Sequence, residues 1–254
     1  MSNVWTAHSG LRPEAKRYVM AGRGVVVDAG GRGDFTTVQD ACDYMAARSL
    51  SGRVWIRAGT YNEAVTTTTS NADLTIEGES HDVLVDGTTV GHAFSVLGAR
   101  TTIRDLSCQT TGGEGNAYRG MLIGATAIFS LFDRILVSDA DDGGIVILNG
   151  AVDSIVSNCW VSGCDGDGIY TDAQRCLFHG NTCNSNGSDG LAVGATGDNT
   201  RFSSNLAHSN SAYGILIDAS GENCTYVGNR CVGNSSGQIQ DNSGTSTGAG
   251  NDTT

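Results

Sequence analysis

The feature that most constrains this chain is a repeat with a period near 24 residues. A glycine followed by an apolar residue recurs at Gly120-Met121, Gly144-Ile145, Gly168-Ile169, Gly190-Leu191 and Gly214-Ile215. A polar marker keeps step with it at Asp133, Asn158, Asn181, Asn205 and Asn229. Two columns sharing one period define a supersecondary unit stacked on copies of itself. Residues one period apart then become neighbours in space.

Composition decides what the unit is made of. With 36 glycines and a single lysine, Lys16, stacked helical pairs are excluded. After each marker glycine the first and third residues pair as Met121/Ile123, Ile145/Ile147, Ile169/Thr171, Leu191/Val193 and Ile215/Ile217. That alternation marks a short strand with one buried face. Strands of three to five residues separated by Gly, Asn, Ser and Asp turns give a parallel β-helix, in which a coil buries its inward residues only against its neighbours. Two residues after the polar marker come Ile135, Trp160, Cys183, Ala207 and Cys231, and three before it come Ser130, Ile155, Phe178, Phe202 and Tyr226. Both columns are expected to face the core. The asparagines are expected to form a ladder, because an amide side chain donates and accepts at once.

Upstream of the repeat, Val25-Val26-Val27 reads as a strand. Asp34 is the expected N-cap of a helix near residues 35–48, whose Val38, Ala41, Cys42 and Met45 share one face. Such a helix can close the open end of a solenoid. Residues 1–24 are irregular and read as an extension, a candidate attachment segment. Residues 25–240 form the solenoid, and 241–254 are polar enough to read as a C-terminal tail. The last coil is then expected to be covered by another chain, which points to a homo-oligomer.

The segments Asp34–Ala41 (DFTTVQDA), Val54–Tyr61 (VWIRAGTY) and Leu74–Glu77 (LTIE) resemble the cap and first coils of the pectin-lyase-like superfamily, shared by pectin methylesterases, pectate-lyase-like proteins and phage tailspikes. The resemblance implies an all-β, right-handed parallel β-helix of roughly eight coils with an N-terminal capping helix. It specifies activity poorly, because this fold carries many functions. The Gln39-Asp40 pair lies in the cap helix and does not match the methylesterase site, and no Gly-His-Gly follows Asp141-Asp142 as in polygalacturonase-like hydrolases.

The net charge of −12 is uneven. Residues 1–127 carry 11 basic and 13 acidic groups, net −2, and residues 128–254 carry 4 and 14, net −10. The acidic half argues against nucleic acid and anionic membrane as partners, and against a polyuronate held there without a bridging cation. The eight cysteines have no zinc spacing and are expected as free buried thiols. No secretory h-region follows Met1, so synthesis in a reducing cytoplasm and residence in a virion are expected.

The period creates one candidate site. Asp141 and Asp165 fall in one column and Asp167 and Asp189 in another, with Asp139, Asp142, Arg119, Tyr170 and Tyr213 nearby. Carboxylates on adjacent coils, about 5 Å apart, would suit a retaining glycosidase. Clustered aspartate oxygens would suit calcium. Aspartate is also an ordinary residue of tight turns. Two functions remain open. One is a non-enzymatic phage structural protein, tailspike-like or a capsid-surface spike, that contacts other virion proteins through residues 1–24 and binds host glycans with Tyr170, Tyr213 and Arg119. The other is a polysaccharide hydrolase or lyase using Asp141, Asp165, Asp167 and Asp189.

Overall fold

The computed structural model describes residues 24–88, 90–111 and 117–254. The expected attachment segment lies outside them apart from Gly24. Every strand pairing is parallel and joins one coil to the next. In cross-section each full coil has three faces. The first holds the strands Ile155–Ser157, Leu177–His179 and Arg201–Ser203 and their stacked equivalents. The second holds Trp160–Ser162, Thr182–Asn184 and Leu206–His208. The third is a separate eight-stranded sheet that includes Phe94–Val96, Met121–Ile123, Ile145–Ile147, Ile169–Thr171, Leu191–Val193 and Tyr213–Ile217. Two long strands, Thr102–Thr110 and Leu131–Ala140, run through the corner between the first and second faces and join them into one sheet. They bend at Asp105 and Arg134, which adopt φ of 59° and 50°.

The interior is filled by stacked columns. Ile145, Ile169, Leu191 and Ile215 lie in direct register and are fully buried. On the first face Phe132, Val156, Phe178, Phe202 and Tyr226 align. The Phe178 and Phe202 rings meet edge to face with centroids 5.2 Å apart, a geometry favoured by the aromatic quadrupole. The inward column of the second face is Val137, Val161, Cys183, Ala207 and Cys231. Trp160 and Ile155, expected inside, are instead 49 % and 36 % exposed. A shift of one residue exchanges the two faces of a strand, and Asn158 sits one residue before the rung position of its coil, Cys159.

Asparagine holds two of the three corners. Asn205 Oδ1 accepts from the Asn181 backbone N–H at 2.9 Å and from Asn181 Nδ2 at 3.1 Å. Its own Nδ2 donates to the Phe178 carbonyl and to Asn229 Oδ1, both at 2.9 Å. Asn229 repeats the pattern onto Asn251. Asn158 and Asp133 are not rungs: Cys159 N–H donates to Asn181 Oδ1, so Cys159 occupies the ladder position of its coil. A second ladder, absent from the sequence expectation, runs through Asn186, Asn210 and Asn234 at the corner between the second and third faces. All eight cysteines are buried and free.

Two boundaries differ from expectation. The cap helix spans Val38–Ala46 and its N-cap is Thr37, whose hydroxyl accepts from Asp40 N–H. Asp34 instead accepts from Val26 N–H at 2.8 Å, and the Glu63 carboxylate takes the Val38 and Gln39 N–H groups at 2.7 and 2.8 Å. A carboxylate there meets both the orphan donors and the positive end of the helix dipole. The polar segment 241–254 is not a tail. It adds the strand Thr247–Ala249, paired with Thr225–Val227, and supplies Asn251 to the first ladder. Ladder bonds, rather than apolar burial, hold this last coil in place.

Candidate functional site

The site is built on the outer face of the third sheet. Counting two residues back from the aligned apolar column gives Arg119, Gly143, Asp167, Asp189 and Tyr213 on successive coils. Four of the seven expected site residues therefore share one line, separated by about 4.8 Å per coil. Tyr170 stands one residue after the apolar column, in register with Ala192. Asp141 and Asp165 lie two positions before the line, in the turn that enters the sheet, and Asp165 is exposed. The four carboxylates thus form two separate columns rather than one patch. Among the described residues no group of three or more His, Cys, Asp or Glu side chains converges as a metal site.

Asp167 and Asp189 connect coils. Asp167 Oδ1 accepts from Asp189 N–H at 2.9 Å, and Asp189 Oδ1 accepts from Tyr213 N–H at 2.7 Å. Asp189 is only 5 % exposed. Burial pushes its carboxyl up to about 6, the nearby Asp167 charge adds to the rise, and the Tyr213 N–H opposes it. A buried acid beside a second carboxylate is the arrangement that separates an acid from a base in glycoside cleavage.

At the other end of the line, the Arg119 guanidinium pairs with Asp142 at 2.8 Å. The Arg119 backbone N–H donates to Nδ1 of His92 at 2.9 Å, which leaves the proton of a neutral ring on Nε2. Burial lowers the His92 pKa, Arg119 lowers it further and Asp142 works against them. The ring meets Tyr118 edge-on with centroids 6.0 Å apart. His92 is not among the residues expected from the sequence, and His179 and His208 lie away from it on the first and second faces. Phe94 pairs with Met121, 27 residues on, so the coil that carries His92 falls outside the 24-residue period and leaves no mark in it.

Tyr170 leans along the sheet across the next coil. Its hydroxyl bonds to Asp172, and burial with the surrounding carboxylates of Asp172, Asp167 and Asp218 raises its pKa. A β-carbon at Gly194 would collide with that hydroxyl and with the Asp172 carboxylate. Gly194→Ala is therefore expected to expel the Tyr170 ring from its position while leaving the coil paired, and the change can be read from tyrosine ring NMR shifts.

A parallel β-helix with a long parallel sheet whose outer face carries aromatic and charged side chains is the class this geometry defines. The chain belongs to the right-handed β-helix region family, which matches residues 73–253. No curated protein matches. Among solved structures it is similar to the A-module of a mannuronan C-5 epimerase from Azotobacter vinelandii, at 15 % identity and TM-score 0.54 over 91 % of this chain and 83 % of that one. It is similar to the pectin methylesterase PemA of Erwinia chrysanthemi at 14 % identity and TM-score 0.56, covering 86 % and 80 %. It is also similar to the enzymatically active domain of tailspike protein 2 of bacteriophage CBA120, at 12 % identity and TM-score 0.59, covering 90 % of this chain and 42 % of that one. Identities this low establish the fold alone.

Proposed function

We propose that the protein is a non-enzymatic spike component of a virion that holds a host-surface glycan along the outer face of its third sheet. The observation that carries this reading is the line Arg119, Asp167, Asp189 and Tyr213 with Tyr170 beside it. A flat parallel face offers an aromatic ring for the apolar side of a sugar and carboxylate oxygens for its hydroxyls. Asp167, Asp172, Asp189 and Asp218 make the face acidic, and Arg119 is neutralised by Asp142, so a neutral or amino-bearing glycan suits it better than a polyanion. The tailspike neighbour supports the virion setting. Contacts with other virion proteins through residues 1–24, and self-association, belong to the same proposal.

A second reading is favoured by one specific observation, the buried Asp189 beside Asp167. Here the protein would be a polysaccharide hydrolase or lyase with Asp189 as the acid. The structural work of both side chains weighs against it, since each spends an oxygen on the next coil. The two readings separate in one assay. The protein and Asp189→Asn are incubated with a panel of neutral and acidic polysaccharides, and new reducing or unsaturated ends are counted. Binding without chain cleavage by either protein is expected. Cleavage that disappears in Asp189→Asn would establish the enzyme instead.

A further inference from the structure

The solenoid solves one problem, a backbone N–H at a buried corner, in two chemically different ways. Asn181, Asn205, Asn229 and Asn251 solve it at the first corner, and Asn186, Asn210 and Asn234 at the second. At the entrance to the third sheet a bond of the same kind runs the other way along the solenoid: Asp167 and Asp189 each accept the N–H of the following coil, whereas each asparagine oxygen accepts the N–H of the preceding one. An amide there would accept the same bond without placing a charge in a buried site. The two asparagine ladders also donate from Nδ2 to a backbone carbonyl of an earlier coil. An ionised aspartate has no proton with which to do so, whereas a neutral carboxylic acid has one.

We propose that the Asp167–Asp189–Tyr213 ladder is an acid-responsive joint, in which a proton on the buried Asp189 removes the second of two charges held on adjacent coils and stabilises the third-sheet coils. The groups around Asp189 agree with this. Asp165 and Asp167 lie on the preceding coil, the Tyr213 N–H on the following one with its ring turned to Gly237 on the coil beyond, and the neutral amides of Asn186 and Asn210 on the interior side. Its carboxyl is raised from 3.8 to about 6, first by burial. A folded-state pKa above the unfolded value means that the folded state binds the extra proton. The stabilisation is full below the unfolded pKa and is lost as pH rises through about 6. The inference concerns coil stability and holds under either functional reading.

The test compares urea unfolding of the intact protein and Asp189→Asn at pH 5.0 and 7.5, together with the 13C titration of the Asp189 carboxyl in the native protein. Relative to the variant, the folding constant of the native protein is expected to fall about tenfold between the two pH values. Asp189→Asn is expected to be at least as stable as the native protein at pH 7.5. Because the comparison is differential, the paired carboxylates elsewhere, which respond to acid in the opposite sense, cancel. The carboxyl midpoint is expected near 6, and in Asp167→Asn it is expected to move down. The titration needs no variant, so it decides the matter even if Asp189→Asn does not fold. Parallel pH profiles for the two proteins, a midpoint at or below 4, or a midpoint insensitive to Asp167→Asn would each overturn the proposal.

Discussion

Replacing Asn205 with leucine is expected to destabilise the solenoid by about 3 kcal/mol, although leucine is the more hydrophobic side chain and the site is buried. The loss is one of hydrogen bonding. Asn205 Oδ1 is the acceptor for the Asn181 backbone N–H, and its Nδ2 is a donor to the Phe178 carbonyl and to Asn229. Leucine leaves the Asn181 N–H buried without a partner, at a cost of about 1–3 kcal/mol, and removes the bonds to the carbonyl and to the next rung as well. Asn205→Asp is expected to behave differently. It keeps the acceptor, loses the donor and buries a charge, so its deficit is largest at neutral pH and shrinks as pH falls through the raised carboxyl pKa. Urea unfolding of the two variants at pH 5 and pH 7.5 checks both statements.

The second large effect is expected at Phe202. Its side chain is fully buried and stacks against Phe178. Phe202→Ala removes that contact and opens a cavity that neighbouring coils, fixed by parallel pairing on both sides, cannot collapse to fill. About 4 kcal/mol is expected. Trp160→Ala supplies the contrast, because Trp160 is half exposed and its loss is expected to cost no more than about 0.5 kcal/mol. A large loss at Trp160 together with a small one at Phe202 would mean that the strand register is wrong.

That contrast also marks what was legible in the sequence. The Gly-apolar column read the third sheet correctly, because its glycines are fixed by close packing. A β-carbon on Gly190 would lie 2.7 Å from the Gly214 carbonyl oxygen and 2.9 Å from the Ala207 β-carbon. The polar column was read correctly only from Asn181 onward. Before it, the corner residues are Cys159 and Ile135, which cannot form amide rungs, and the markers Asn158 and Asp133 stand one and two positions away. The spacings of 25 and then 23 carried that slip. The second ladder was visible as Asn186, Asn210 and Asn234 at intervals of 24 but was hidden among many surface asparagines. The end of the chain misled through composition. A coil that Asn251 ties to the Tyr226 carbonyl needs few apolar residues. For the site, the period placed Asp167, Asp189 and Tyr213 in one line. His92 escaped because the coil that carries it is longer than the repeat.

The proposed function rests on the outer face of the third sheet. The most direct measurement is retention of neutral, amino-bearing and acidic glycans on an array by the full chain and by Tyr170→Ala/Tyr213→Ala. The expected result is retention of a neutral or amino-bearing glycan that drops at least tenfold in the double variant while the coil signature in circular dichroism is kept. Binding that survives the double substitution, or a preference for polyanionic glycans, would contradict the assignment of this face.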